Sequence, residues 1–327
     1  MNQQTCKVLL LAGGVGGAKM AEGFAASSAA SGFSILGNIA DDQEFHGLWV
    51  SPDIDTLTYT LADLIDREKG WGLKQDSYQA LAMLRQLGSE VWMNLGDRDL
   101  GVHILRTQLR RMGQRPSDIA RLIGQQLGVT APILLPTDDP VHTEVRTPNG
   151  WLPFQDYFVR ERCQPEVLGL RYQGIDAARP CPEALAAIAE ADLIVLAPSN
   201  PLVSISPILA VPGIRQAIVT SSALKVAVSP LIAGQTVKGP ADKMLRGLGY
   251  RADVRGVADM YRDLVDVLLI DPLDQALQAE CSASSLRVLT ESILMQTADD
   301  KRRLAQAILG LGDRFSSSKK PNLEAVF

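Results

Sequence analysis

Two hydrophobic rhythms divide this chain. Short unbroken apolar runs mark buried strands, and apolar residues three or four positions apart mark helices. Residues 7–12 (KVLLLA) read as a first strand, followed by GGVGG and then AKMAEGFAAS, a helix of small residues. Strand, glycine loop and helix in that order open a parallel α/β sheet. Residues 33–36 fit the next strand.

From 56 to 128 the rhythm turns helical. Leu57, Leu61, Leu64 and Ile65 share one face, and Ala80, Leu81, Leu84 and Leu87 share another. Ser117 is placed to cap DIARLIGQQL, and Gly128 to end it. Strand signals return at 133–135. TEVRT and WLPFQDYFV, flanking Pro148-Asn149-Gly150, read as a hairpin. Further strands are expected at 193–197, 225–228, 265–270 and 286–289, with helices PEALAAIAEA, GPADKMLRGLG and ADDKRRLAQAILG between and after them. The pattern predicts a Rossmann-like three-layer α/β core with a mostly parallel sheet, built from 1–55 and 129–311. A mostly helical insertion occupies 56–128, and a flexible polar tail 312–327.

Composition narrows the function. The chain has 327 residues, 46% apolar and 21% charged, as in ordinary globular proteins. Its net charge, 32 − 37 = −5, argues against general nucleic-acid binding, which needs Lys and Arg against phosphates. The aliphatic run 8–12, like every other in the chain, is too short to span a bilayer. The N-terminus has no basic segment followed by a signal-length apolar run, so a cytoplasmic protein is expected. Four cysteines without a C-x-x-C pair give no thiolate zinc site, and three histidines without metal-ligand spacing give none either. No serine lies in G-x-S-x-G. The chemistry is left to carboxylates, glycines and amides.

Gly13, Gly14, Gly16 and Gly17 lie between a strand and a helix, where backbone N–H groups and the positive dipole end suit a phosphate. Lys19 adds charge in the first helical turn. The loop fits neither the P-loop nor the dinucleotide fingerprint, and close βα packing is the alternative reading. Ser199 and Asn200, in APSNP after a later strand, occupy the position where open α/β sheets bind ligands, or form a plain polar turn. The stretch 41–66 carries Asp41, Asp42, Glu44, Asp53, Asp55, Asp63 and Asp66 with no Lys or Arg. Carboxylates converging near phosphates call for a divalent cation such as magnesium, and one of them can take a proton from an attacking hydroxyl. The alternative is helix capping and a solvated acidic face. Arg106, Arg110 and Arg111 read as a solvated basic face.

In order, LLLAGGVGGAK, IADDQEFHG, SPDIDT, GWG at 70–72, LGDRDL, TDDPV, LPFQDYFVR, APSNPLVSISPIL, VPGIR, AVSPLIAG and GPADKML span about residues 7 to 310. Together they resemble the 2-phospho-L-lactate transferase family of coenzyme F420 biosynthesis. The resemblance implies a homodimeric, magnesium-dependent transferase. It would move a three-carbon phospho-acid (phospholactyl, phosphoenolpyruvyl or 3-phosphoglyceryl) from its guanosine-diphosphate-activated form to the terminal ribityl hydroxyl of the deazaflavin FO, releasing GMP. By position it puts Asp55 and Asn94 at FO; Asn94 is a departure, since some relatives carry Lys there. Gly13, Gly14, Gly16, Gly17, Lys19, Ser199 and Asn200 fall on the nucleotide side, and Asp41 and Asp42 at the metal. Asp42 or Asp55 is the expected base. The competing reading is a nucleotide-sugar-binding regulator of a related branch without enzyme activity. A nicotinamide dehydrogenase is disfavoured by the broken dinucleotide fingerprint.

Overall fold

The computed structural model describes residues 6–27, 30–282 and 285–318. Seven parallel strands form the central sheet: β1 (Val8–Ala12), β2 (Phe33–Gly37), β3 (Ile133–Leu134), β4 (Leu193–Leu196), β5 (Leu224–Val228), β6 (Val267–Ile270) and β7 (Arg287–Thr290). Their spatial order is β7-β6-β5-β4-β1-β2-β3, the doubly wound order with one strand added at the edge. β1 pairs with both β2 and β4, so that Leu10 lies between Ile35 and Val195.

Strand β1 is apolar throughout because both of its faces are covered. Leu9 and Leu11 enter one core with Ile188, Ile208, Ile214, Ile218 and Val257. Val8, Leu10 and Ala12 enter the other with Met20, Phe24, Ile54, Leu57, Leu304 and Ile308. This is the expected three-layer, Rossmann-like arrangement. Among the described residues no single helix is long and apolar enough to cross a membrane.

Helices α1 (Gly14–Ala25), α2 (Pro52–Leu61), α3 (Gln79–Gln86), α4 (Asp97–Arg111) and α5 (Pro116–Gln126) follow in chain order. The last four lie between β2 and β3, after a short antiparallel pair, Gln43–Phe45 and Leu48–Val50, and are joined by irregular segments. α2 begins before the expected boundary at 55, with Pro52 in its first turn and Ser51 as N-cap residue. Several local expectations change. In α3 only Leu81 is buried, and Leu87 is 75% exposed, so its apolar face is not a core face. Ser117 does not cap α5, which starts at Pro116. Its N–H and hydroxyl instead donate to Asp138, at 2.7 and 3.1 Å. The predicted hairpin forms between His142–Thr147 and Gly150–Pro153. Its second strand then stops, and Asp156–Arg160 closes into a wide helical turn. Phe154 and Phe158, four apart, stack there with ring centroids 5.5 Å apart. The C-terminal helix, Ala298–Ser318, runs past residue 312, where a tail was expected; Leu304, Ala305 and Ile308 anchor it on the sheet. The rest of that tail, 319–327, lies outside the described residues.

Candidate active site

Strand order reverses at β1, and the segments leaving β1 and β4 part to opposite faces of the sheet. Such a switch point leaves a crevice beyond the carboxyl ends of the strands. Here it holds a cavity of about 370 Å³. Residues 13–16 after β1, Asp41 after β2, 198–200 after β4, Ser229 and Pro230 after β5 and 293–295 after β7 line it. The helical region supplies Asp53, Asp55, Tyr59, Asn94, Asp99 and His103. Trp71, Met93, Phe154 and Phe158 give it an apolar wall.

The glycine segment is the start of a helix and not a free loop. Gly13 is the N-cap residue of α1, and Gly14 has φ +63°, a conformation that costs glycine little. The first four N–H groups of a helix lack partners within it. Two are taken by side chains: Gly13 N–H reaches Ser199 Oγ at 3.3 Å, and Gly14 N–H reaches Asp53 Oδ1 at 2.8 Å. Val15 and Gly16 carry the other two. A Cβ on Gly16 would lie 2.3 Å from the Pro198 carbonyl oxygen, and one on Gly17 2.9 Å from Ala12 Cβ and Ser199 Oγ. These two glycines therefore serve close packing of α1 on the turn after β4. Gly13, Gly14 and Gly16 line the cavity; Gly17 does not.

Ser199 and Asn200 also line it, with side chains engaged locally. Ser199 Oγ donates to the Gly13 carbonyl at 2.7 Å. Asn200 Oδ1 accepts from Leu202 N–H at 2.9 Å. Lys19 Nζ donates to the Met295 carbonyl at 3.0 Å. Burial lowers its pKa, and the charges of Lys301 and Lys238 add to the effect. Lys238 also lines the cavity and donates to the Lys69 carbonyl.

The acidic stretch separates by partner. Asp53, in the first turn of α2, accepts Gly14 N–H on one oxygen and Asn38 Nδ2, at 2.9 Å, on the other. Burial raises its pKa to about 6. Asp41 is buried, and its Oδ1 has no hydrogen-bond partner. Burial, then the charge of Asp53, pushes its pKa well above the ordinary carboxylate value. Asp41 and Asp53 are thus the pair that meets at the cavity. Asp42, expected beside Asp41, turns into a separate small pocket lined by Trp49, Arg106 and Arg110. Its Oδ2 accepts from Ser51 Oγ at 2.7 Å and Trp49 Nε1 at 3.1 Å. Its chain neighbour is therefore no guide to its surroundings.

Asp55 lines the cavity with both oxygens held by the Arg106 guanidinium. Arg106 is 5% exposed, which overturns the solvated basic face expected for it. Arg110 stacks its guanidinium on Trp49, 3.9 Å from the ring centroid, and of these three arginines only Arg111 is exposed to solvent. Asn94 lines the cavity close to the start of α4. In LGDRD, Asp97 caps α3 by accepting Gln79 and Ala80 N–H, while Asp76 caps α4 by accepting Arg98 and Asp99 N–H. The motif and Asp76 form a reciprocal capping device, and the motif's second acid, Asp99, lines the cavity.

Asn38, Asp53, Asp99, His103 and Arg106 were not singled out as site residues from the sequence. One signal was available: a run of acids without Lys or Arg needs a cation from elsewhere, and His103 and Arg106 share a helical face.

A family model described as 2-phospho-L-lactate transferase CofD matches residues 8–305. A 2-phospho-L-lactate transferase of Methanosarcina acetivorans is 34% identical over 306 residues, covering 94% of this chain and 99% of that protein. A phosphoenolpyruvate transferase of Kitasatospora aureofaciens is 36% identical over 315 residues, covering 94% and 98%. Among solved structures, a UPF0052 family protein of Bacillus halodurans superposes with a TM-score of 0.62 at 19% identity, covering 94% of this chain and 100% of that one. The last likeness is one of fold.

Proposed function

The chain belongs to the CofD family of 2-phospho-L-lactate transferases, and from that premise we propose that it completes the phosphodiester of a coenzyme F420 precursor. The terminal ribityl hydroxyl of FO attacks the phosphorus bearing a three-carbon acid in a guanosine-diphosphate-activated donor. A new O–P bond forms, the bridging P–O bond breaks, and GMP leaves. Asp55 accepts the hydrogen bond of the attacking hydroxyl, aligns it, and receives its proton as the bond forms. The free N–H groups of Val15 and Gly16, with Lys19, bind the diphosphate oxygens. Trp71, Met93, Phe154 and Phe158 offer a face to a tricyclic aromatic ring, with Asn94 beside them.

Magnesium is part of this proposal. Among the described residues no three His, Cys, Asp or Glu converge as metal ligands. Magnesium does not need three, because it is commonly held by one or two carboxylates, substrate phosphates and water. Asp41, with an oxygen lacking any partner, and Asp53 fit that mode. Bound there, the ion would offset charge on the transferring phosphoryl group. Asp42 is not in this pair.

The observation that carries the reading is the meeting, in one cavity, of a helix N-terminus with two free amides and the Asp41–Asp53 pair. The test is incubation with FO, magnesium and each of the three activated acids, read by mass spectrometry. GMP release with a matching mass gain on FO is expected, and the best donor names the acid. No release with any donor, alongside tight UDP-sugar binding, would replace this reading with the regulator. Light scattering tests the accompanying proposal of a homodimer.

A further inference from the structure

Behind Asp55 lies a chain of buried polar side chains that the transfer chemistry does not itself require. Arg106 Nη1 donates to Asp55 Oδ2 at 3.0 Å, and Nη2 to Oδ1. Nη1 also lies 3.1 Å from His103 Nδ1. A guanidinium has no lone pair to offer, so Nδ1 must be the acceptor and the ring hydrogen belongs on Nε2. Nε2 lies 3.3 Å from Asp99 Oδ1, which also accepts the Tyr59 hydroxyl at 2.6 Å. The side chains of Tyr59, Asp99, His103, Arg106 and Asp55 thus line up between α2 and α4, hydrogen-bonded at each step except His103–Asp99, a 3.3 Å contact in which Nε2 makes no hydrogen bond.

Four of the five members line the cavity; Arg106 does not, and reaches it only through Asp55. Burying five polar groups is no efficient route to stability, since well-packed apolar residues of the same volume commonly do as well. What such a network supplies is a fixed direction. Bidentate pairing determines the plane of the Asp55 carboxylate, and His103 limits where Arg106 can swing.

We propose that Arg106 is a positioning residue: it sets the orientation in which the Asp55 carboxylate meets the attacking hydroxyl, with His103, Asp99 and Tyr59 holding Arg106 in place. The proposal rests on the transferase reading and refines it. Lysine keeps the charge but presents a point donor in place of the fork, so Arg106→Lys isolates geometry from electrostatics.

The experiment measures kcat and KM for FO and for the donor in the wild-type protein, Arg106→Lys, Asp55→Asn and the double variant, with thermal melts alongside. Arg106→Lys is expected to melt within a few degrees of wild type and to lose roughly 10- to 100-fold in kcat/KM for FO, while the donor KM stays within about twofold. The double variant is expected to be no slower than Asp55→Asn alone, because Arg106 acts through that residue. Tyr59→Phe, at the far end and nearly isosteric, is expected to move FO kinetics the same way by a few-fold. An Arg106→Lys protein with wild-type FO kinetics overturns the proposal while leaving the transferase reading intact. So does a loss in the double variant equal to the product of the single losses, since that is the mark of independent roles. A wild-type protein without transfer activity overturns both.

Discussion

The Asp42 carboxyl is buried with one oxygen unpartnered, and replacing it by asparagine separates a structural role from a chemical one. Burial raises its pKa from 3.8 to about 7, against the opposing pull of the Ser51 hydroxyl, the Arg106 charge and the Trp49 indole. The folded pKa lies above the unfolded one, so between 3.8 and about 7 the folded protein holds a proton that the unfolded chain has released. Stability from this group then falls as pH rises, by up to ~1.4 kcal/mol per unit. The interval of 7 − 3.8 = 3.2 units makes the full effect about 4 kcal/mol as an upper bound. Asp42→Asn removes it. The new amide meets no acceptor at the Oδ1 position, a penalty of roughly 1–3 kcal/mol that does not vary with pH. Urea denaturation of both proteins, in EDTA to remove bound cations, is the assay. Asp41 and Asp53, whose carboxyls are also raised by burial, are common to both proteins and drop out of the difference. The gap is expected to move in favour of the variant as pH climbs through this window, and to be flat outside it. Transfer activity is expected to stay within about threefold, because Asp42 does not line the cavity. A pH-independent gap, or a well-folded variant without turnover, would refute the reasoning.

Three further outcomes follow from the same geometry. Gly16→Ala puts a Cβ against the Pro198 carbonyl, and a backbone atom yields poorly, so a loss of about 1–3 kcal/mol is expected in thermal or urea melts; an unchanged melting temperature would mean that α1 does not pack as described. Asp76→Ala uncaps α4, at a cost of about 1–2 kcal/mol, with amide exchange at residues 98 and 99 speeding up before the rest of the helix; uniform protection would show that the cap is replaceable. Asp41→Asn is expected to leave the melting temperature at or above wild type while lowering transfer at least ~100-fold, and a variant with full turnover would remove Asp41 from the cation site.

The sheet was legible because burial on both faces leaves little freedom of composition. β1, β4 and β6 are runs of Val, Leu, Ile and Ala, β2 and β5 are mostly apolar, and each was expected within a few residues of where it lies. Helices were legible where one face met the sheet, as in α1 and the C-terminal helix. They were misread where an apolar stripe had nothing to cover: Leu84 of α3 and Leu87 just after it have helical spacing, and neither is buried. The turn at Asp156–Arg160 was lost because the hairpin signal was extended through FQDYFV, although Phe154, Tyr157 and Phe158 stand at helical spacing and Phe154 stacks on Phe158.

The acidic stretch was harder for a reason that composition cannot supply. Asp41, Asp42, Asp53 and Asp55 are close in sequence and identical in chemistry, so spacing gives no ground for telling them apart. Their differences come from partners far along the chain. Arg106 lies 51 residues from Asp55 and takes both of its oxygens. Gly14 lies 39 residues before Asp53 and supplies an N–H to it. Asp42 is held by Ser51 and Trp49 in its own pocket. Asp41 alone keeps an unpartnered oxygen while facing the cavity. An unclaimed oxygen makes Asp41 the ready ligand for an incoming ion, while each Asp53 oxygen accepts one protein donor and keeps a further lone pair for it. The same count applies to the amides of α1: two of the four are spent on Ser199 and Asp53, and the capacity for an anion resides in the remaining pair. Function in this cavity follows from which donors and acceptors the fold leaves over, and that remainder exists only after every internal hydrogen bond has been assigned.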